Sequence, residues 1–348
     1  MLRIGPISID FPVVQAALSG YSDAPMRLIA RRHGAEFAIH EVVLDRLVLQ
    51  SGKLQRKIFA LTTEDHPVGG QLLGSEPDEF AQAAAAMAEA GFDVIDINFG
   101  CPVKKVLGRC RGGFLLSDPK TAIEIVRQVR AAVPSATPVT VKMRRGMDDS
   151  AESECKFFEI FDAALELGVC MFTVHGRTVE QRYVGPSRWE FLSKLRRYAP
   201  GVTLLGSGDL FAAQDCVRMM EQTGVDGVTV ARGCIGNPWV FREARALLAG
   251  QPLPEPPSVA EQGRVILEHF ELSVALNGEY LAGRLMRKFG IKYSRLHPFA
   301  DAVRDGFIKA ASRSEWRAVL DEWYDPAREW PATTRPDPEA DLLTACAE

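Results

Sequence analysis

The sequence predicts a (β/α)8 barrel followed by a small all-helical domain. Three observations carry this. Eight short apolar or β-branched runs recur within the first ~240 residues, and plausible helices lie between them. The runs are nearly continuous in apolar character, as parallel strands buried on both faces must be. The competing doubly wound sheet usually shows a G-x-G-x-x-G turn after its first strand. Here Gly206-Ser207-Gly208 follows the seventh run and lacks the third glycine.

The predicted strands, in order, are 13–17, 37–39, 68–73, 94–98, 139–142, 171–175, 203–207 and 227–231. Plausible helices cover 76–90, 119–132, 153–167, 211–222 and 239–249. Ser75-Glu76-Pro77 and Asp118-Pro119 supply start signals, a capping residue near a first-turn proline. Gly91, Gly168 and Gly224 supply stops. The barrel domain is expected over 1–250. A proline-rich linker is expected over 251–258, a helical domain over 259–325 and a loose tail over 326–348. Within the helical domain, apolar spacing is clearest in 264–276 and 280–296, and Trp316 and Trp323 add bulk for a small core.

Composition narrows the function classes. With 47% hydrophobic and 25% charged residues, the 348-residue chain is globular rather than disordered. No window of ~18 apolar residues exists, so no membrane span is expected. The N-terminus from Met1 to Pro6 has no apolar leader core, so a cytoplasmic location is expected. Seven scattered cysteines without a C-x-x-C pair fit a reducing compartment and neither a disulfide framework nor a zinc site. The net charge of −4 means that any nucleic-acid partner must be met by local positive charge. A monomer is the default expectation.

In such barrels, chemistry sits where strands end. Gln71, Asn98, Lys142 and His175 end four of the runs. Singly, each reads as a strand-end residue satisfied by solvent or backbone. Four converging on one face suit a flat heterocycle with carbonyls. A lysine there would favour a negatively charged reduced form. The loops Gly206-Ser207-Gly208-Asp209 and Ala231-Arg232-Gly233 follow the last two strands, where many barrels bind phosphate, although the glycines could simply make tight turns. The loop 99–113 is the longest candidate. It carries Lys104, Lys105, Arg109 and Arg111 without an acid, is expected to be mobile, and sets Cys101 between glycine and proline. A thiol with a pKa near ~8.5 can donate a proton at neutral pH. Cys110, Cys155, Cys170, Cys216 and Cys346 read instead as small buried hydrophobes.

The segment Asp96-Ile97-Asn98-Phe99-Gly100-Cys101-Pro102, followed by Lys104-Lys105, resembles the signature of the tRNA-dihydrouridine synthases. Gly20-Tyr21-Ser22-Asp23, Gln71-Leu72-Leu73-Gly74, Val141-Lys142-Met143-Arg144, His175-Gly176-Arg177-Thr178 and Gly236-Asn237-Pro238-Trp239 extend the resemblance over roughly 12–320. The wording Pro102-Val103-Lys104-Lys105-Val106 is closest to the bacterial branch labelled B. The resemblance implies an FMN-binding barrel, a helical tRNA-binding domain and NADPH-dependent reduction of uridine in the tRNA D-loop. It implies hydride delivery from flavin to C6 and a proton from Cys101 to C5. Gln71, Lys142 and His175 match flavin contacts, and Ala17, Leu18 and Ser19 match the segment under the ring. Ser207, Gly208, Asp209, Ala231 and Arg232 match the phosphate loops. Asn98 and Arg177 match residues facing the substrate. The first strand departs from the family's Ala-Pro-Met-Ala-Gly, reading Ala16-Ala17-Leu18-Ser19-Gly20.

A stacked uridine must be flipped out to reach a barrel mouth, which demands binding surface elsewhere on the RNA. The predicted helix 280–296 carries Arg284, Arg287, Lys288, Lys292 and Arg295 within a stripe of roughly 140° at ~100° per residue. A solvated face would usually mix signs, so an RNA contact is expected. Two other readings are an FMN barrel acting on a free pyrimidine, which needs no basic stripe, and a non-catalytic tRNA-binding protein, which needs no cysteine beside a lysine.

Overall fold

A computed structural model describes residues 1–335. Eight parallel strands close into a barrel: β1 (Val13–Gln15), β2 (Ala38–Ile39), β3 (Val68–Leu73), β4 (Val94–Phe99), β5 (Val139–Arg144), β6 (Met171–His175), β7 (Thr203–Ser207) and β8 (Gly227–Val230). Each pairs with the next, and β8 returns to β1 through Thr229↔Val14. Val43–Leu44 is a further short strand alongside β3. All six residues of β3 and of β4 are buried, the pattern required of strands covered on both sides.

The floor of the barrel comes from the chain start. Leu2–Ile4 and Ile7–Ile9 form an antiparallel hairpin that turns at Gly5, whose φ of +58° lies in the left-handed region glycine adopts without strain. Leu2, Ile4 and Ile9 pack in one cluster with Val14, Phe37, Ile39, Val94, Met171 and Leu205. Side chains two apart on a strand share a face. The face that starts at Val94 therefore continues through Asp96 and Asn98, and that of Met171 through Thr173 and His175. Leu205 leads likewise to Ser207. An apolar floor and a polar mouth follow from the same strands.

The chain divides into two compact units, and the first is Met1–Ser22, Ala35–Leu210 and Asp215–Ala231. The second takes Asp23–Gly34, Phe211–Gln214 and the chain from Arg232 onward, so it claims segments on the barrel side of the expected boundary at 250. Within it, helix Ala24–Arg32 packs on helix Val259–Asn277, and an Arg32–Glu268 ion pair joins them. Arg245 also donates to the Gly34 carbonyl at 2.8 Å. Tertiary packing thus recruits the first barrel helix into the helical unit. Residues 251–257 have no regular secondary structure, and Ser258 caps the following helix by accepting from Glu261 N–H. Trp316 is buried against the rings of Phe270 and Phe307, and its indole N–H donates to the Gly283 carbonyl at 3.0 Å.

The expected single helix over 280–296 is two helices, Glu279–Leu285 and Arg287–Tyr293, with a 3-10 turn at Ser294–Leu296. Close packing holds each piece: a Cβ at Gly283 would strike the Ala311 backbone, and one at Gly290 would lie 2.6 Å from the Phe307 ring. Residues 326–335 have no helix or strand, but Arg335 pairs with Glu243 at 3.3 Å, so this part of the expected loose tail is tied down. The rest of that tail, with Cys346, lies outside the described residues. Cys110 and Cys155 are exposed, which corrects the expectation that they fill small buried spaces. Among the described residues, no helix is long and apolar enough to cross a membrane.

Because Ile4 is wholly buried in the floor, Ile4→Ala should lower unfolding stability by about 2–5 kcal/mol through lost burial and a residual cavity. Denaturant titration of the variant checks this.

Candidate active site

A run of hydrogen bonds links the strand ends at the mouth. Register pairs Gln71 with Asp96, Asp96 with Thr140 and Asn98 with Lys142. Asp96 is almost fully buried, and both its oxygens accept: Oδ1 from the Thr140 hydroxyl at 2.5 Å, Oδ2 from Gln71 Nε2 at 2.6 Å. Gln71 Oε1 in turn accepts from Asn98 Nδ2 at 2.6 Å. Asn98 Oδ1 then accepts from the backbone N–H groups of Gly100 and Cys101 at 2.9 and 3.0 Å. Beyond these bonds Gln71 keeps one N–H and one lone pair, and Asn98 keeps one N–H.

The loop after β4 is closed rather than open. It contains a short helix, Lys104–Leu107, and a 3-10 segment, Gly112–Ser117. Gly113 N–H donates to the Cys101 carbonyl at 3.0 Å. Gly112 has φ +58°, and a Cβ there would lie 2.9 Å from Cys101 Cβ, so the returning chain can pass only as glycine. Arg144, at the end of β5, clamps the same loop. Its Nε donates to the Gly100 carbonyl at 2.9 Å, and its Nη1 donates to the carbonyls of Thr178 and Arg182, both at 2.8 Å. The expected mobility of this loop is therefore opposed by at least four internal bonds.

The electrostatics follow from burial. Desolvation raises the Cys101 thiol above its ordinary value, against the opposing pull of the Val103 backbone bond, Arg144 and Lys142. The thiol thus stays protonated at neutral pH, as a proton donor must. Burial, then Arg144, pushes Lys142 down to about 8, while Asp96 and Cys101 pull it up. Lys142 is therefore mostly a cation at pH 7 and turns neutral as pH rises through about 8. Burial raises Asp96, and the bonds from Thr140 and Gln71 and the charge of Lys142 oppose that.

On the adjoining strand β6, His175 Nδ1 accepts from Arg177 N–H at 3.1 Å, so a neutral ring carries its proton on Nε2. Ser207 is buried at the end of β7. Gly208 has φ +115°, and a Cβ there would run into Ser187 Oγ and lie 3.1 Å from His175 Cε1. Ser187 Oγ is buried and has no hydrogen-bond partner among the described residues. Asp209 adopts φ +57°, and its carboxylate accepts from Ser187 N–H at 2.7 Å and from Arg177 Nη2 at 2.8 Å. Ala231 is the last residue of the first unit, and Arg232 begins the last segment of the second, its guanidinium 5.0 Å from the Phe211 ring centre.

One expected substrate contact is corrected here. Arg177 is fully buried, and its guanidinium also donates to the Gly185 carbonyl at 2.8 Å. It braces two loops against each other and does not face outward. Ala17 and Leu18 are half-buried and Ser19 is exposed; the Leu18 N–H and carbonyl are both engaged by the Ser22 hydroxyl. Of the basic stripe, Arg284 is exposed and lies 4.3 Å from the Tyr280 ring centre. Arg287 donates Nε to the Ala310 carbonyl at 2.7 Å, a structural contact, and Lys288, Lys292 and Arg295 are half-buried. Sequence reasoning missed Asp96, Thr140, Arg144 and Ser187. The first three lay within reach, because each is two residues from a named site residue on the same strand face.

The chain matches the family described as Dihydrouridine synthase over residues 14–326. A probable tRNA-dihydrouridine synthase of Mycobacterium tuberculosis is 34% identical over 329 residues, covering 92% of this chain and 84% of the relative. One from Rickettsia typhi is 34% identical, covering 94% of each chain. A tRNA-dihydrouridine synthase B from Xanthomonas campestris is 30% identical, covering 93% and 96%. In fold, the chain is similar to histamine dehydrogenase from Rhizobium, with TM-score 0.57 and 17% identity, covering 78% of this chain and 50% of that one. It is also similar to morphinone reductase, with TM-score 0.52 and 13% identity, covering 73% and 91%.

Since burial raises the Cys101 thiol while Cys110 and Cys155 are exposed, iodoacetamide at pH 7.5 should alkylate Cys101 more slowly than either. Peptide mass mapping over time measures the three rates.

Proposed function

The chain belongs to the dihydrouridine synthase family, and from that premise we propose that it reduces uridine to 5,6-dihydrouridine in the D-loop of tRNA, with FMN as its flavin and NADPH as reductant. The observation that carries this reading is the convergence of a protonated, partly buried Cys101 with Asn98 and Lys142 at the barrel mouth.

The residues present fit a flavin phosphate. The orphaned Ser187 hydroxyl beside Gly208, where no side chain fits, is a polar cradle suited to a phosphate oxygen. Ser207, Gly208, Asp209 and Ala231 would hold that end, chiefly through backbone. Asp209 serves by anchoring the loop, since its carboxylate is turned to Arg177 and Ser187. Gln71, Lys142 and His175 would hold the ring, over the segment Ala17-Leu18-Ser19. When bound, the flavin would supply hydride for C6 of the uracil.

The chain's own residues do the rest. Lys142 would present positive charge to the bound ring. Asn98 orients the Gly100-Cys101 backbone and keeps one N–H for a uracil carbonyl. Cys101 Sγ delivers a proton to C5, and a thiol held protonated by burial suits that task. Arg284, Lys288, Lys292 and Arg295 would engage tRNA phosphates. Arg287, tied to Ala310, acts mainly by shaping that surface.

Three measurements test this reading. Mass spectrometry of tRNA from a deletion strain should show loss of D-loop dihydrouridine; unchanged content would remove the assignment. Cys101→Ala should retain flavin but form product about 10²–10⁴-fold more slowly in single turnover, the range for general acid catalysis. Arg284→Ala with Lys288→Ala should weaken tRNA binding and flatten the log–log salt dependence by roughly one to two units. An unchanged slope would mean that the RNA docks elsewhere.

A further inference from the structure

The interior of a (β/α)8 barrel is ordinarily filled by branched apolar side chains. Here the layer above the floor holds a carboxylate, Asp96, that is almost fully buried. A buried charge survives only when paired and hydrogen-bonded, and its partners show what it is for. Thr140 and Gln71 each donate to one of its oxygens. Gln71 passes the order on to Asn98, and Asn98 to the backbone of Cys101. Asp96 also lies one strand over and two residues below Lys142, on the inward face, as the pairing Asn98↔Lys142 requires.

We propose that Asp96 is a positioning residue for uridine reduction: it anchors the Gln71–Asn98 relay that fixes the Cys101 loop, and it is the counter-charge that keeps Lys142 cationic beneath the reacting rings. The proposal rests on the mouth being the reduction site, but its test does not use that reaction. The charged and titratable groups facing Lys142 are Arg144 from its own strand, and Asp96 and Cys101 from β4 and its loop. From β6, the residue paired with it is Thr173, with His175 one step above, level with Arg144. Arg144 opposes the lysine's charge, so among these neighbours Asp96 is the carboxylate that offsets it. Without it, Lys142 would sit between burial and an arginine and would lose its proton at lower pH.

Asp96→Asn separates the two roles. The amide oxygen can still accept from Gln71 and its NH2 can donate to the Thr140 hydroxyl, so the relay persists while the charge goes. Asp96→Ala removes both. In full-length protein stripped of flavin, acetic anhydride labelling of Lys142 across pH, read by peptide mass mapping, gives the lysine's titration midpoint. Both variants should shift it down by about one pH unit, the low end for loss of a nearby opposite charge. Cys101 alkylation by iodoacetamide should run several-fold faster in Asp96→Ala than in Asp96→Asn, since only the alanine frees the loop.

An unshifted Lys142 midpoint in folded Asp96→Asn would overturn the counter-charge role. Equal Cys101 rates in the two variants would overturn the anchoring role. If Asp96→Asn does not fold, the coupling is read from the other partner, because linkage is reciprocal. Lys142→Met should raise the pH at which Asp96 takes up its proton, seen as the protonated-carboxyl infrared band, and no change there would equally refute it. Failure of the wild-type protein to reduce tRNA would count against the proposed function and leave these readouts unaffected.

Discussion

Asp96 is a carboxylate held away from water, and the strand ends around it are arranged to meet its demand for hydrogen bonds. Leaving either oxygen unmet would cost about 1–3 kcal/mol, and more for a charged group. Thr140 and Gln71 are therefore confined to one orientation each. Once Gln71 is oriented, its remaining oxygen selects the Asn98 rotamer, and Asn98 Oδ1 is turned to the backbone ahead of Cys101. The position of the cysteine is thus set from beneath, by the barrel, and from the side by Arg144.

The adjoining rim, at the ends of β6 and β7, is built around a buried ion pair. Arg177 and Asp209 join at 2.8 Å, and Ser187 N–H, from the far end of the Arg177 loop, donates to the same carboxylate. The left-handed backbone of Gly208 and Asp209 is held in that arrangement. A residue in the left-handed region other than glycine is strained unless its surroundings over-determine it, and the contacts from Arg177 and Ser187 to the Asp209 carboxylate help to hold it there.

The two compact units divide the chemical work. The first carries the carboxylate relay, the cysteine, the lysine and the histidine. The second carries the basic side chains of the broken helix pair. A protein with net charge −4 has no general attraction for a polyanion. The cations of that segment lie close together in sequence, and Arg287 shows that one of them can be diverted to brace the segment by donating to a carbonyl.

Periodicity and residue type alone determined much of this. Eight buried parallel strands were legible because strands covered on both faces must be continuously apolar, and β3, β6 and β7 occupy the predicted ranges. The places of Cys101, Lys142 and His175 at or near the ends of β4, β5 and β6 were legible because the apolar runs stop there. Tertiary structure decided what depends on neighbours distant in sequence. Arg177 reads as a surface cation until Asp209, 32 residues on, neutralises it in the interior. Helix Ala24–Arg32 reads as barrel until helix Val259–Asn277 packs on it. Ser187 has no motif, and its hydroxyl matters only because Gly208 is brought against it. A sequence states which side chains are available and on which face they start; only closure of the barrel says which of them meet.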